Sequence, residues 1–336
     1  MKLNALFCDG MVLAANKPIR VFGTGSGCVR ITFLGGTVTR HFDAKEWLVE
    51  LPPQGYGGPY QMSVELNGEQ QVISDIYVGE VLLLHGQSNI QFRLKESNYP
   101  TERYEGEPRL RLFSLGFLTE ESPFLPRDGW VVCDLENVGE WSAIGYHVGM
   151  GLIRELGCAV GLIACYQGAS VIQTWLPRDA EERLGIELAP EQRHGDYTHR
   201  IYREWNAPGT LYHFAIKRIA PFSLSRILWY QGESNTGEGD GAVYDKLLTA
   251  LIEQRRADFE DADLPIVVIQ LANLRSRSDK GWRLVQDAQM RVGKTVPNVT
   301  TVISHDLCED DHIHPPTKSA LCDRICRSIL KNEIKD

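Results

Sequence analysis

The chain has no uninterrupted apolar run long enough to cross a bilayer, which takes about 20 consecutive residues. It has no lysine-rich or arginine-rich run, and its formal net charge is -9. Nucleic acids and anionic membrane surfaces select basic faces, so neither is expected as a partner. None of its eight cysteines forms a Cys-x-x-Cys pair. Cys322 and Cys326 lie four apart, with no histidine at metal-finger spacing. Disulfide frameworks belong to short secreted chains, so these thiols are expected reduced and packed as small hydrophobes. The stretch from Met1 to Gly10 carries one lysine and no sustained apolar core, which does not read as a signal peptide. A reducing cytoplasm is the expectation. Internal repeats and low-complexity segments are missing too.

What is present is an ordinary globular composition, with 43% hydrophobic and 24% charged residues. At 336 residues the chain exceeds the size at which one core usually stops growing. Two unequal domains are expected, at 1–75 and 76–336. In the first, Ile19 to Phe22, Val29 to Leu34, Trp47 to Leu51 and Gln61 to Leu66 have strand character and are separated by glycine-rich turns. Met62, Val64 and Leu66 alternate with Gln61, Ser63 and Glu65, as in a half-buried antiparallel strand. A small β-sandwich is expected there.

From Ile76 onward, continuous apolar strands alternate with helical stretches. The strands are Val81 to Leu84, Leu162 to Cys165, Ile227 to Tyr230, Ile266 to Leu271 and Thr301 to Ser304. Strands with no polar face mean a parallel sheet covered by helices on both sides. The fold class is therefore α/β. Residues 177–206, rich in charge, read as an excursion from this core, a lid or an insertion.

The chemistry concentrates where strands end. Leu82-Leu83-Leu84 runs into His85-Gly86-Gln87-Ser88-Asn89, and ligands of open α/β sheets sit outside the carboxyl ends of their strands. Ser88 is the candidate nucleophile, although a helix N-cap serine has the same local appearance. The Gly-x-Ser-x-Gly elbow of α/β-hydrolases is not satisfied, because Ile90 occupies its last position. A serine hydroxyl needs a base and donors for the oxyanion. His314 is the candidate base. Asp311, three residues earlier, is a carboxylate able to fix its tautomer, with Asp306 and Glu233 as alternatives. Tyr166-Gln167-Gly168-Ala169-Ser170 follows a second strand, and Gly168 offers a close-approach N–H. Trp229-Tyr230-Gln231-Gly232-Glu233-Ser234-Asn235 follows a third. A rival reading makes His305, His312, His314 and the adjacent carboxylates a metal site. A third makes the chain a non-catalytic sugar binder that uses exposed aromatics such as Trp175.

These blocks together resemble the SGNH hydrolases, with Ser88, Gly168, Asn235 and His314 in the four roles. The nearer likeness is to the sialate O-acetylesterase and acetylxylan esterase group, carbohydrate esterase family 6 and relatives. It rests on Gly86-Gln87-Ser88-Asn89, the Trp229 to Asn235 block and Ile313-His314-Pro315. Asp9 to Leu13, Leu51 to Pro53, Gly57 to Tyr60, Pro208 to Tyr212 and Val285 to Gln289 extend it over most of the chain. The resemblance implies a flavodoxin-type parallel sheet, no cofactor and no metal. It also implies serine-dependent removal of an acetyl group from a sugar, of the sialic acid or xylo-oligosaccharide type. The oxyanion would be held by the N–H groups of Ser88 and Gly168 and by the Asn235 side chain. Asp311 would orient His314, with Glu233 as a second carboxylate. Gln87, Gln231 and Trp175 are the candidate substrate-binding side chains. His85, Ile90 and His213 depart from the family pattern, at positions expected to shape the acyl or sugar pocket.

Overall fold

The computed structural model describes residues 2–115, 128–188, 205–277 and 280–333. The first strands are short: β1 (Lys2–Leu3), β2 (Val12–Ala14), β3 (Ile19–Thr24), β4 (Gly27–Phe33), β5 (Gly36–Phe42), β6 (Glu46–Leu51) and β7 (Gly57–Leu66). β1, β3 and β6 form a three-stranded antiparallel sheet. β4 lies antiparallel between β5 and β7, and β7 pairs in turn with the first half of β8 (Glu69–Gly86). The alternation in β7 works as its sequence suggests. Met62 and Val64 are fully buried while Gln61 faces solvent.

β8 changes partners along its length. Its second half pairs in parallel with β11 (Val160–Tyr166) on one side and β12 (Arg226–Tyr230) on the other. The boundary expected at residues 75 and 76 therefore falls inside a strand. From Val78 to Gly86 every residue of β8 is buried, which explains why Val81 to Leu84 carries no polar face.

The remaining strands are β9 (Glu107–Ser114), β10 (Trp130–Cys133), β13 (Ile266–Ile269) and β14 (Val299–Val302). The order across the sheet is β10-β9-β11-β8-β12-β13-β14. All neighbours run parallel except β10, which is antiparallel to β9. Two expectations are corrected here. The large sheet is mixed, because the antiparallel edge strand β10 and the β7 pairing join it. Its order also differs from the flavodoxin type: counting the parallel strands from β8 gives 2-3-1-4-5-6, where flavodoxin has 2-1-3-4-5. The chain first builds to one side of β8, then crosses to the other. That reversal is a topological switch point, where a crevice opens at the strands' carboxyl ends.

The helices used below are α1 (Ser88–Gln91), α2 (Ala143–Leu156), α3 (Glu238–Asp258), α4 (Lys280–Thr295) and α5 (Ser319–Glu333). α2 starts at Ser142, whose Oγ accepts the Gly145 N–H, and stops at Gly157 in the left-handed conformation that glycine favours. α2 packs on α5, and α3 on α4, so two helix pairs flank the sheet. No helix among the described residues is long and apolar enough to cross a membrane. Of the 177–206 excursion, the described part includes one helical turn, Ala180–Arg183. Residues 189–204 lie outside the described residues.

Candidate active site

Three strand ends meet at the switch point, and Gly86 makes the meeting possible. It closes β8 with φ +134°, and a Cβ there would collide with the Tyr230 carbonyl of β12. The backbone then stitches the ends together. Gln87 N–H donates to Tyr230 O at 3.0 Å, and Gln167 N–H donates to Gly86 O at 3.0 Å. Ser88 follows immediately as the first residue of α1, half-buried at the crevice.

Gly168 lies across from it. A Cβ built on Gly168 would sit 3.8 Å from Ser88 Cβ, which places the two residues side by side. The Gly168 N–H donates to Gln91 Oε1 at 2.8 Å. This donor therefore already faces a neutral carbonyl oxygen, the kind of group an ester would bring.

The segment after β14 that carries His314 meets the α1 turn. The His314 ring lies 5.9 Å from the Phe92 ring, tilted by 34°. The preceding carbonyl, Ile313 O, accepts from Asn89 Nδ2 at 2.9 Å. Among the described residues no hydrogen bond joins Ser88 to His314. Desolvation lowers the His314 imidazole below its ordinary value, the Lys318 charge lowers it further, and Glu96 opposes both. A neutral imidazole is what a general base requires.

Glu233 is 4% exposed, at the turn after β12. Its Oε1 accepts from Asn89 Nδ2 at 2.6 Å. Burial pushes its carboxyl up, against the Asn89 hydrogen bond and the Lys318 and Arg277 charges. Lys318 Nζ donates to Asn89 Oδ1 at 2.8 Å. Burial pushes this ammonium down to about 8.

Several expectations about individual residues are corrected by these positions. Asp311 is exposed and lies 3.8 Å from His312, so it does not hold His314. Asp306 forms a two-armed pair with Arg324, and Asp310 pairs with Arg275 at 2.7 Å. Glu309 accepts from the Thr317 hydroxyl, and His305 Nδ1 meets Gln270 Oε1 at 3.2 Å. Asp306, Asp310, Glu309 and His305 each engage a partner outside the proposed metal cluster, and no metal-type grouping occurs among the described residues.

Asn235 is 0% exposed. Its Oδ1 accepts from Ile172 N–H and Gln231 Nε2, and its Nδ2 donates to Gln173 Oε1 at 2.9 Å. A buried amide must satisfy itself locally, and here it ties the β12 turn to the segment after β11. Gln87 and Gln231 belong to the same interior network. Gln87 Oε1 accepts from Gln231 Nε2 at 3.0 Å, Gly232 N–H at 3.2 Å and Ser234 N–H at 3.3 Å. Trp175 is not an exposed platform. It is fully buried, edge-on to His85 at 4.6 Å, with Nε1 donating to Ser170 Oγ. His85 and Ile90 are also fully buried, so these departures from the family pattern change core packing. His213 is exposed.

Sequence reasoning missed Asn89, Gln91, Phe92 and Lys318. Asn89 ends the motif Gly86-Gln87-Ser88-Asn89, which was a usable signal. Nothing local marks Lys318, a lone lysine before a helix, as buried.

The family model described as carbohydrate esterase, sialic acid-specific acetylesterase matches residues 78–330. The human sialate O-acetylesterase is 25% identical over 354 residues, covering 90% of this chain and 65% of the human protein. The chain thus spans less than two thirds of that relative. The mouse sialate O-acetylesterase is 25% identical over 393 residues, covering 96% of this chain and 71% of its own length. A carbohydrate acetylesterase from Xanthomonas citri superposes with a TM-score of 0.82 at 27% identity, covering 97% of this chain and 73% of that one.

Proposed function

The chain belongs to the sialic acid-specific acetylesterase family of carbohydrate esterases, and from that premise we propose that it hydrolyses an acetyl ester carried by a sugar, with Ser88 as nucleophile and His314 as base. The observation that carries the reading is the convergence at the switch point. Ser88, Gly168 and the His314 segment come from three distant stretches of chain and meet where β8, β11 and β12 end.

Ser88 Oγ attacks the acetyl carbonyl carbon while the neutral His314 ring takes the hydroxyl proton. The N–H groups of Ser88 and Gly168 receive the developing oxyanion, with the ester carbonyl taking the place of Gln91 Oε1. Collapse of the tetrahedral species breaks the bond to the sugar oxygen, which leaves with the proton from His314. Water, deprotonated by the same ring, then attacks the acetyl-enzyme and releases acetate. The supporting carboxylate is Glu233, acting through Asn89, in place of Asp311. The substrate we favour is an O-acetylated sialic acid, on the family's description and the human relative's name.

The test is acetate release from p-nitrophenyl acetate, 9-O-acetyl sialic acid and acetylated xylo-oligosaccharides, in EDTA, for wild type and Ser88→Ala. The expected result is wild-type activity, greatest on the sialate ester, that falls at least about 10³-fold in the variant. Equal activity in both proteins overturns the serine mechanism. Activity that EDTA abolishes restores the metal reading.

A further inference from the structure

We infer that Lys318 and Asn89 form a clamp that positions His314 against the Ser88 turn, Lys318 as anchor and Asn89 as bridge. This rests on the Ser88–His314 reading above and extends it to two residues outside the four SGNH roles.

The Asn89 amide is engaged at both ends. Oδ1 accepts from Lys318 Nζ at 2.8 Å, and Nδ2 donates to Glu233 Oε1 at 2.6 Å and to Ile313 O at 2.9 Å. Its orientation is decided by charge. Turned over, the amide would set N–H against the ammonium and its oxygen against the carboxylate and the Ile313 carbonyl. One side chain therefore joins the residue after the nucleophile to the residue before the base.

Lys318 makes that amide immobile. It is 1% exposed, and its ammonium sits 5.1 Å from the centre of the Phe92 ring and 5.8 Å from that of Tyr230. Phe92 is also the ring beside His314. A buried cation without partners is strongly disfavoured, so the lysine favours the one Asn89 orientation and the one Phe92 position that receive it. Two further contacts hold the segment behind His314. Asn98 N–H donates to Pro316 O at 3.2 Å, and Asn98 Nδ2 donates to Thr317 Oγ1 at 2.6 Å. The charged groups that face His314 are Lys318, at the start of α5, and Glu96, in the 3₁₀ turn Leu94–Glu96 after α1.

The experiment compares Lys318→Met, Asn89→Asp and the double variant with wild type on p-nitrophenyl acetate, after thermal melts establish which are folded. Asn89→Asp keeps an oxygen for Lys318 and removes both donated hydrogen bonds. The expected result is a fall in kcat on the order of 10- to 100-fold with KM changed less than about threefold, the signature of lost alignment. The double variant should lose little more than the worse single one, because both act through one contact. The acidic limb of kcat/KM should move up in Lys318→Met and down in Glu96→Gln, which a purely structural role would not produce.

A folded variant with wild-type kcat overturns the clamp, as do multiplicative losses with an unmoved acidic limb. If Lys318→Met does not fold, Asn89→Asp decides alone by its kcat. If Ser88→Ala retains activity, it is the parent mechanism that has failed, whatever the clamp variants do.

Discussion

Gln91 Oε1 accepts the Gly168 N–H at 2.8 Å, so the side chain three residues after Ser88 occupies a donor that the proposed chemistry needs. An ester carbonyl must displace it. Removing that competitor by Gln91→Ala should raise kcat/KM for p-nitrophenyl acetate by about two- to tenfold, the worth of one neutral hydrogen bond. A loss of activity instead would mean that Gln91 helps hold the substrate.

Gly86→Ala tests the turn itself. The backbone there has φ +134°, and the added methyl group meets the Tyr230 carbonyl. Strain and overpacking together should lower stability by about 3 kcal/mol or more, read as a lower urea midpoint. Loss of esterase activity should accompany it, because Ser88 is two residues away.

Asn235→Ala separates scaffold from chemistry. The substitution leaves Ile172 N–H, Gln231 Nε2 and Gln173 Oε1 without this partner in a closed interior. A stability loss of about 2–4 kcal/mol is expected. Ser88→Ala, at a half-buried position, should melt within a few degrees of wild type. If Asn235→Ala melts like wild type and loses only activity, its side chain acts as an oxyanion donor.

His147, like the fully buried His85, should weaken the fold in acid. Burial pushes its imidazole down to about 4, and Asp323 opposes this only weakly. Between about 6.5 and about 4 the unfolded chain binds a proton that the folded chain does not. Its contribution is therefore complete above about 6.5 and is lost as the pH falls toward about 4. The urea midpoint of the wild type should decline across that window, and His147→Phe should flatten the slope.

Much of the site was legible because it follows from strand ends. The apolar run Val81 to Leu84 marks a central buried strand, and a small polar turn after such a strand points at a crevice. What misled was side-chain direction. Trp175 follows a polar turn and reads as a surface ring, yet it fills the space beside His85, which no local pattern announces. Asn235 and Gln231 have the chemistry of ligand-binding amides, but the interior needed their hydrogen bonds first. Asp311 is near His314 in sequence while its side chain leaves for His312. Strand order is a long-range choice, so the crossing from β11 to β12 around β8 could not be read from either strand alone.

The 18 residues of β8 have a mechanical consequence. One strand is edge to edge with β7 at its start and flanked by β11 and β12 at its end. A load applied to the amino-terminal sheets is thus delivered along β8 to the turn that carries Ser88, alongside ties such as Arg20 to Phe259 O and Trp130 to Leu6 O. Cutting the chain at residue 76 would sever this strand at mid-span. It would also bare the pairing edge that β7 presents to the first half of β8.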